Sequence, residues 1–319
     1  MGQRIVLMGT PGYAIPVLEG LVELPGVEAV LVITRPDAPR GRGGRTAPSP
    51  VRAAAEALAL PVWTPRALGP RTLARLRDWR PDVALTAAYG LILPPPWLAA
   101  FPGGAYNLHA SLLPRWRGPN PIAWAIRAGD AATGVSLMRM DAGVDSGPVV
   151  AQATVGVRAG DTTGALGARL AQAARELWVE QWPAIAAGTA AAAPQVGPVS
   201  LAPKDPPEAA RVNFEEPALV LDRLIRSMLP DPGPHTIAGA TRIKILRASV
   251  AEGARTGGVP GQIERIGRRR DPRDRGEEWV VACGSQTALA IQEIQPAGRR
   301  PMSPGAFDRG QSPRPTMLR

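Results

Sequence analysis

The chain has 319 residues, of which 45% are hydrophobic, and it carries a formal net charge of +10. Because this length exceeds the usual size of a single core, we expect two domains. No apolar run reaches the ~18 residues that a membrane span needs, and the N-terminal apolar run is too short for a signal peptide. The single cysteine, Cys283, allows no internal disulfide, so we expect a cytoplasmic protein.

Arginine supplies nearly all of the positive charge, since only Lys204 and Lys244 are lysines. A genome rich in G and C would explain this bias together with the many Ala, Gly and Pro residues. A polyanionic partner would also explain it, because guanidinium groups match the geometry of phosphate. Composition by itself leaves both interpretations open.

Strand-like and helix-like segments alternate through the first half of the chain. Apolar, β-branched runs predict strands at Arg4–Met8, Ala29–Thr34, Val83–Ala88, Tyr106–Leu108 and Gly134–Met140. The segments between them predict helices at Ile15–Leu24, Val51–Ala59, Pro70–Trp79 and Pro121–Ala128. This alternation is typical of an α/β, Rossmann-like domain with a parallel sheet that is covered by helices on both faces.

The second half of the chain predicts a different architecture. After a long predicted helix, Gly160–Ala187, residues 190–206 are rich in Ala, Pro and Gly and predict a linker between domains 1–189 and 207–319. A helix at Ala218–Met228 is then followed by short apolar runs split by Gly and Pro, which predict a small, OB-like β-barrel. The charge-dense run Arg265–Arg275 fits either a solvated loop or a polyanion contact.

Three polar residues follow predicted strands of the first domain. Asn107 and His109 lie at the end of one strand, and Asp145 comes after another. Because ligands bind at the carboxyl ends of strands in an open parallel sheet, we expect these side chains to meet at one edge. Each has an ordinary alternative, since Asn and Asp are common in turns and a single His is often only a hydrogen-bonded structural group.

Together, the three side chains suit acyl transfer to an amine. An amide N–H from Asn107 or a protonated imidazole stabilises the oxyanion that forms on the acyl oxygen. His109 can move the proton of the amine, and the carboxylate of Asp145 would orient the ring and stabilise its charged form. We expect no metal site, because the two histidines and one cysteine are widely separated, and GTPG at residues 9–12 departs from a dinucleotide motif.

The stretch NLHASLLPRWRG at residues 107–118, followed by MDAGVDSG at residues 140–147, resembles the folate-dependent formyltransferases. This resemblance implies that Asn107, His109 and Asp145 form the catalytic trio. It implies transfer of a formyl group from 10-formyltetrahydrofolate to an amine. It also implies a folate pocket made by three segments, with the residues Gly90, Leu91, Ile92, Leu93, Ser111, Leu112, Leu113, Pro114, Met140, Asp141 and Val144.

Three further regions resemble the members of that family whose acceptor is initiator methionyl-tRNA: Thr34–Arg52, Glu208–Met228 and Ile291–Ser303. The resemblance implies that the basic loop, Thr34–Arg52, contacts the tRNA. Separately, we expect a monomer. We expect this loop to lack regular structure, and so long a loop inside a compact domain is usually functional. Its phosphate-binding candidates are Arg35, Arg40, Arg42 and Arg45.

Two stretches depart from the pattern, Arg117–Trp124 (RGPNPIAW) and Leu229–Pro234 (LPDPGP). Pro119 and Asn120 lie beside the predicted site, so a different acceptor remains possible. One alternative is an N-formyltransferase acting on an amino-sugar nucleotide, which would not need the basic loop. Others are a non-catalytic tRNA-binding protein and a hydrolase with water as acceptor, although such hydrolases usually carry a regulatory domain before the first strand.

The basic loop generates a first prediction, at Arg42. We expect Arg42→Ala to impair the use of tRNA and to spare folate binding, because it removes one guanidinium contact to phosphate. Steady-state kinetics with tRNA, alongside a folate-binding titration, measure the two effects separately. Unchanged tRNA kinetics would show that the loop is assigned wrongly.

Overall fold

A computed structural model describes residues 2–40, 45–254, 257–268 and 277–319. The chain divides into two compact units. The first consists of Met1–Ile122, Ala131–Val157 and Leu166–Lys204, and the second of Ala123–Asp130, Arg158–Ala165 and Asp205–Arg319. The division between Lys204 and Asp205 falls inside the predicted linker, and nearly all of that linker groups with the first unit.

The first unit contains a seven-stranded sheet with the strand order β5-β2-β1-β6-β7-β8-β9. In chain order, the strands up to residue 156 are β1 (Gln3–Gly9), β2 (Val27–Ile33), β3 (Ala38–Arg40), β4 (Arg45–Ala47), β5 (Val62–Trp63), β6 (Val83–Ala87), β7 (Ala105–His109), β8 (Ala132–Arg139) and β9 (Val149–Gly156). Strands β5, β2, β1, β6 and β7 are mutually parallel. The sequence predicts this for all of them except the two-residue strand β5, which was not predicted.

Helices connect these strands, and each predicted helix is present with small shifts at its ends. They are α1 (Ile15–Val22), α2 (Pro50–Ala57), α3 (Pro70–Trp79), α4 (Pro95–Leu98), α5 (Pro121–Ala128) and α6 (Thr163–Ala186), and a short 3-10 turn covers Gly12–Ala14. None of the described helices is both long and apolar enough to cross a membrane. The predicted α/β fold class is confirmed for this unit.

One strand of the sheet, β8, runs against the predicted direction. Strand β8 is antiparallel to β7, with Tyr106 opposite Arg139 and His109 opposite Ser136. Strand β9, which the sequence analysis missed, is antiparallel to β8. Residues of β9 alternate between half-buried and exposed, because an antiparallel edge strand keeps one face in water and lacks a continuous apolar run.

The segment Thr34–Arg52 is not the irregular loop that we expected. Strands β3 and β4 pair as an antiparallel hairpin, and only their backbone is described at Arg40 and Arg45, which lie opposite each other. Arg42 lies outside the described residues, whereas Arg35 is exposed at the base of the hairpin.

A buried pair of hydroxyl groups fixes the base of the hairpin. Thr34 Oγ1 and Ser49 Oγ lie 2.7 Å apart. Ser49 Oγ also accepts from the backbone N–H of Arg52 at 3.0 Å, and it thereby caps helix α2. The hairpin is therefore anchored where it leaves the sheet and where it enters the helix.

An apolar cluster supports the sheet from one face. It joins residues of β1, β2, α3, β6 and β7 with side chains of the segment that follows β6, namely Val6, Met8, Leu31, Ile33, Leu76, Ala84, Tyr89, Leu93, Trp97, Phe101 and Ala105. Several of these side chains are fully buried. The cluster therefore fixes the carboxyl end of β6, next to which the candidate site lies.

The second unit is built on an antiparallel sheet. Its elements are α7 (Ala218–Ser227), β10 (His235–Ala238), β11 (Thr241–Val250), β12 (Ile263–Arg268), β13 (Glu277–Cys283), β14 (Thr287–Pro296) and α8 (Pro304–Arg309), and a 3-10 turn covers Pro207–Ala210. The strand order is β10-β11-β14-β13-β12. The charge-dense run Arg265–Arg275 lies mostly outside the described residues, with only its backbone up to Arg268 placed in β12.

The C-terminal residues help to close this sheet. Ile237 and Arg319 exchange backbone hydrogen bonds of 2.8 and 3.0 Å, which attaches the C-terminus to β10. On the other side, Leu318 N donates to Gly261 O at 2.8 Å and Ile263 N donates to Thr316 O at 3.0 Å. The C-terminal residues thereby bond to both edge strands, β10 and β12. The predicted small barrel is confirmed in the form of an antiparallel half-barrel.

Candidate active site

Asn107 is oriented by the neighbouring strand β6. Thr86 lies opposite Asn107 in the pairing of β6 with β7. Thr86 Oγ1 donates to Asn107 Oδ1 at 2.7 Å. This hydrogen bond fixes the orientation of the amide, because it requires an oxygen on the side that faces Thr86. Asn107 Nδ2 then donates to Asp145 Oδ1 at 3.3 Å. Since Nδ2 carries two hydrogens, one N–H is left to act on a substrate.

His109 is 6% exposed and is held at one ring nitrogen by the backbone. Its Nε2 lies 2.8 Å from the carbonyl oxygen of Trp116. Because a carbonyl can only accept, this contact requires the proton on Nε2. The other nitrogen, Nδ1, lies 3.5 Å from Asp145 Oδ2. That distance exceeds an ordinary N–H···O hydrogen bond, so Nδ1 is the ring nitrogen available for proton transfer.

Asp145 is held from several sides. In addition to Asn107 and His109, the backbone N–H of Gly118 donates to Asp145 Oδ2 at 2.9 Å. Asp145 has a φ of +49°, in the left-handed region that non-glycine residues seldom adopt. Next to it, a side chain at Gly147 would overlap the carbonyl oxygen of Arg139. The loop of residues 140–148 is therefore closely fitted around its carboxylate.

The three predicted residues are brought together, but the reason given for this from the sequence is wrong. Since β8 is antiparallel to β7, its end at Arg139 lies opposite Tyr106, toward the amino ends of the parallel strands. The loop of residues 140–148 instead brings the chain back to Asn107 and His109. Loop geometry, and not the direction of the strand, places Asp145.

The first predicted folate segment, Gly90–Leu93, follows β6. Gly90 has a φ of +80°, which favours glycine at this turn. Ile92 is 69% exposed, whereas Leu93 is 2% exposed and belongs to the apolar cluster under the sheet. In this segment the side chain of Ile92 is therefore open to a ligand, whereas the side chain of Leu93 packs into the apolar cluster and supports the segment.

The segment from Met140 to Val144 lies beside the first. Met140 packs against the same apolar cluster as Leu93 and Leu91. Val144 is exposed, and Asp141 accepts hydrogen bonds from Gly143 N at 2.9 Å and Ser146 Oγ at 3.0 Å. The carboxylate of Asp141 thus shapes the turn that carries Asp145.

The remaining predicted segment, Ser111–Pro114, is mostly buried. Ser111 is fully buried and Leu113 is 5% exposed. Ser136 Oγ donates to Ser111 O at 2.6 Å and accepts from Leu113 N at 2.9 Å, which ties the segment to β8. Contact with a ligand therefore has to come from Leu112, which is half-buried, or from the backbone.

Burial raises the pKa of two tyrosine hydroxyls near the site. The pKa of Tyr89 is raised to about 12 by burial, and the charge of Arg35 lowers it in part. The pKa of Tyr13 is raised by burial as well, and its hydroxyl donates to Leu108 O at 3.5 Å. Both hydroxyls therefore stay protonated at neutral pH and act only as neutral groups.

The arrangement combines an amide donor, an imidazole and a carboxylate without a nucleophilic side chain of its own. It can stabilise negative charge at an oxygen through Asn107 and move a proton through His109. Among the described residues, no group of three or more His, Cys, Asp and Glu side chains could hold a metal ion. The chemistry is therefore suited to attack by a nucleophile that a substrate supplies.

Two groups of the site were not predicted from the sequence, namely Thr86 and the backbone N–H of Gly118. Thr86 was predicted as part of an apolar strand, VALTAA, where a single hydroxyl is the only signal of a polar role. The Gly118 N–H carries no signal in the sequence, because a backbone group is present at every residue except proline.

Comparisons with known proteins identify the family of the chain. Residues 4–181 match the family model "Formyl transferase", and residues 206–312 match "Formyl transferase, C-terminal domain". A protein of Roseobacter denitrificans named methionyl-tRNA formyltransferase is 42% identical over 97% of this chain and 96% of its own length. One of a Methylobacterium species with the same name is 42% identical over 98% of this chain and 97% of its own length.

A solved structure shows the same fold at lower identity. The N-formyltransferase from Helicobacter canadensis, in complex with folinic acid and dTDP-3-aminofucose, is 16% identical, with a TM-score of 0.65. The match covers 92% of this chain and 99% of that one. Since the two family models together span most of the sequence and the predicted trio is assembled in the first, the chain belongs to the formyl transferase family.

Proposed function

We propose that the protein transfers the formyl group of 10-formyltetrahydrofolate to the α-amino group of initiator methionyl-tRNA, for the start of translation. The observation that carries this proposal is the assembled trio of Asn107, His109 and Asp145. It stands in a chain that is 42% identical, over nearly its whole length, to relatives named methionyl-tRNA formyltransferase. With this substrate we further propose a monomer in the cytoplasm.

The folate donor binds beside the trio. Gly90 and Ile92 stand in the sequence between Tyr89 and Leu93, which belong to the apolar cluster, and Met140, which packs against it, begins the loop that carries Val144. In this proposal the two stretches accommodate the ring system of the folate. Its formyl oxygen then faces the available N–H of Asn107, which stabilises the negative charge that forms there. These contacts place the formyl carbon within reach of an incoming amine.

The reaction exchanges one C–N bond for another. The amine nitrogen of the acceptor attacks the formyl carbon, and the bond from that carbon to N10 of the folate breaks. The proton that the attacking nitrogen loses passes through Nδ1 of His109 and ends on N10 of the departing tetrahydrofolate. Asp145 stabilises the transient imidazolium, while the Trp116 carbonyl keeps the ring oriented.

Positive charge in both units supports tRNA as the acceptor. In the first unit it lies on the arginine-bearing hairpin, with Arg35 exposed at its base. In the second unit, the pKa of His235 is lowered mainly by burial. The nearby positive charges of Arg242, Arg211 and Lys244 lower it further. Three cations around one strand pair suit phosphate groups of a nucleic acid.

The acceptor decides between this proposal and transfer to an amino-sugar nucleotide. The purified protein is incubated with 10-formyltetrahydrofolate and, in parallel, with charged initiator methionyl-tRNA, elongator methionyl-tRNA and an amino-sugar nucleotide. We expect formylation of the initiator tRNA above both other acceptors, because only tRNA uses the basic surfaces. A formylated sugar nucleotide without a tRNA product would instead refute the proposal.

The trio itself is tested by His109→Ala and Asp145→Asn. Each removes a group that carries or stabilises the proton in transit, so we expect kcat to fall by about 100-fold or more. Asp78→Asn, at an exposed aspartate of α3, serves as the matched control and should keep the parent kcat. If Asp145→Asn turned over at the parent rate, its assigned role would be excluded.

A further inference from the structure

Residues 193–202, which we call the bracing segment, lie in the predicted linker but pair with both loops of the site. Val149 and Ala193 exchange two backbone hydrogen bonds of 2.8 and 2.9 Å at the end of the loop that carries Asp145. Arg117 N donates to Ser200 O at 2.9 Å, and Ala202 N donates to Arg117 O at 2.7 Å. The segment therefore runs across two loops that lie far apart in sequence.

The side chain of Gln195 connects these loops directly. Its Nε2 donates to the carbonyl oxygens of Asp145 and Gly147, both at 2.8 Å. Its Oε1 accepts from Arg117 Nε at 3.0 Å and from Arg117 Nη2 at 2.7 Å. Both donors and the acceptor of this amide are thus used, and the amide binds the two loops to each other.

The bonds of Gln195 act next to the groups that hold the trio. Arg117 lies between Trp116, whose carbonyl oxygen contacts His109, and Gly118, whose N–H binds Asp145. Ser200 Oγ accepts from the backbone N–H of Trp116 at 3.0 Å, which adds a second bond from the same segment. A shift of the bracing segment would therefore displace the partners of the imidazole and of the carboxylate together.

Burial shows that the bracing segment contributes mainly polar contacts. Val196 is 88% exposed, Val199 53% and Leu201 66%, whereas Gln195 and Ser200 are half-buried. Apart from Ala202, which is fully buried, the side chains of this segment that face the protein are the hydrogen-bonding ones of Gln195 and Ser200. Asp145 also needs outside support, because its left-handed backbone persists only where surrounding contacts fix it.

We propose that Gln195 is a positioning residue for formyl transfer, because its two donated hydrogen bonds hold the backbone of Asp145 where the carboxylate faces His109. This inference rests on the proposed function for its kinetic consequences. The positioning of Asp145 by Gln195 involves only residues 116–118, 145–147 and 193–202. It is therefore tested by a measurement that needs no substrate.

Two substitutions separate the bonds of Gln195. Gln195→Ala removes all of them, whereas Gln195→Glu keeps an acceptor for Arg117 and loses both donors to the carbonyls. We expect both variants to lower kcat by about 10- to 100-fold, because a catalytic group displaced by about 1 Å loses roughly that much rate. We expect KM to change little. The control is Gln172→Ala, at an exposed glutamine of α6, which should keep the parent kcat.

The ring of His109 gives a readout that needs no substrate. The chain has two histidines, so a His235→Gln variant assigns the imidazole signals in NMR spectra. We expect the His109 signals of Gln195→Ala to move toward those of Asp145→Asn, while Gln172→Ala matches the parent. Thermal unfolding of each variant identifies any that is unfolded, and Ser200→Ala then tests the same segment in its place.

Several outcomes would overturn the inference. Parent-like kcat in Gln195→Glu would mean that the contact with Arg117 suffices, and unmoved His109 signals in Gln195→Ala would mean that Gln195 does not position Asp145. The ring signals respond even if the protein proves to use another acceptor. A failed inference and a failed functional proposal therefore give different results.

Discussion

The carboxylate of Asp145 is the group around which the site is built. Its Oδ1 accepts from Asn107, and its Oδ2 accepts from the Gly118 backbone and faces His109. These partners come from a strand and from a separate loop, so the carboxylate joins parts of the chain that the sheet alone does not bring together. If it moved, the amide, the imidazole and the loop of Gly118 would lose their common partner.

The mixed sheet explains why this carboxylate needs so much support. A parallel β8 would have delivered the following loop to the carboxyl ends of the strands, beside His109. The antiparallel β8 ends opposite Tyr106, so the loop of residues 140–148 has to return. It does so through a turn shaped by Asp141 and through the left-handed backbone of Asp145. The bracing segment then fixes the loop from outside.

The sequence predicted the elements whose periodicity is strong and missed those that depend on contacts distant in sequence. Strand β1 was predicted because buried strands are continuously apolar, and helix α3 was predicted as one of the segments between such strands. The trio was predicted from its position after strands, and its motif then connected it with the formyltransferases. The role of Gln195 was not predicted, because one glutamine in a segment rich in Ala and Pro has no pattern, and its partners lie 48 to 78 residues away.

The proposed proton transfer depends on an imidazole of His109 that is oriented with Nε2 on the Trp116 carbonyl and Nδ1 toward Asp145. Long-range ¹H–¹⁵N spectra identify which ring nitrogen carries the proton, and His235→Gln assigns the signals. We expect the neutral ring of His109 to be the Nε2–H tautomer. An Nδ1–H tautomer would contradict this expectation, because the unprotonated Nε2 would then face a carbonyl oxygen and Nδ1 could not accept a proton.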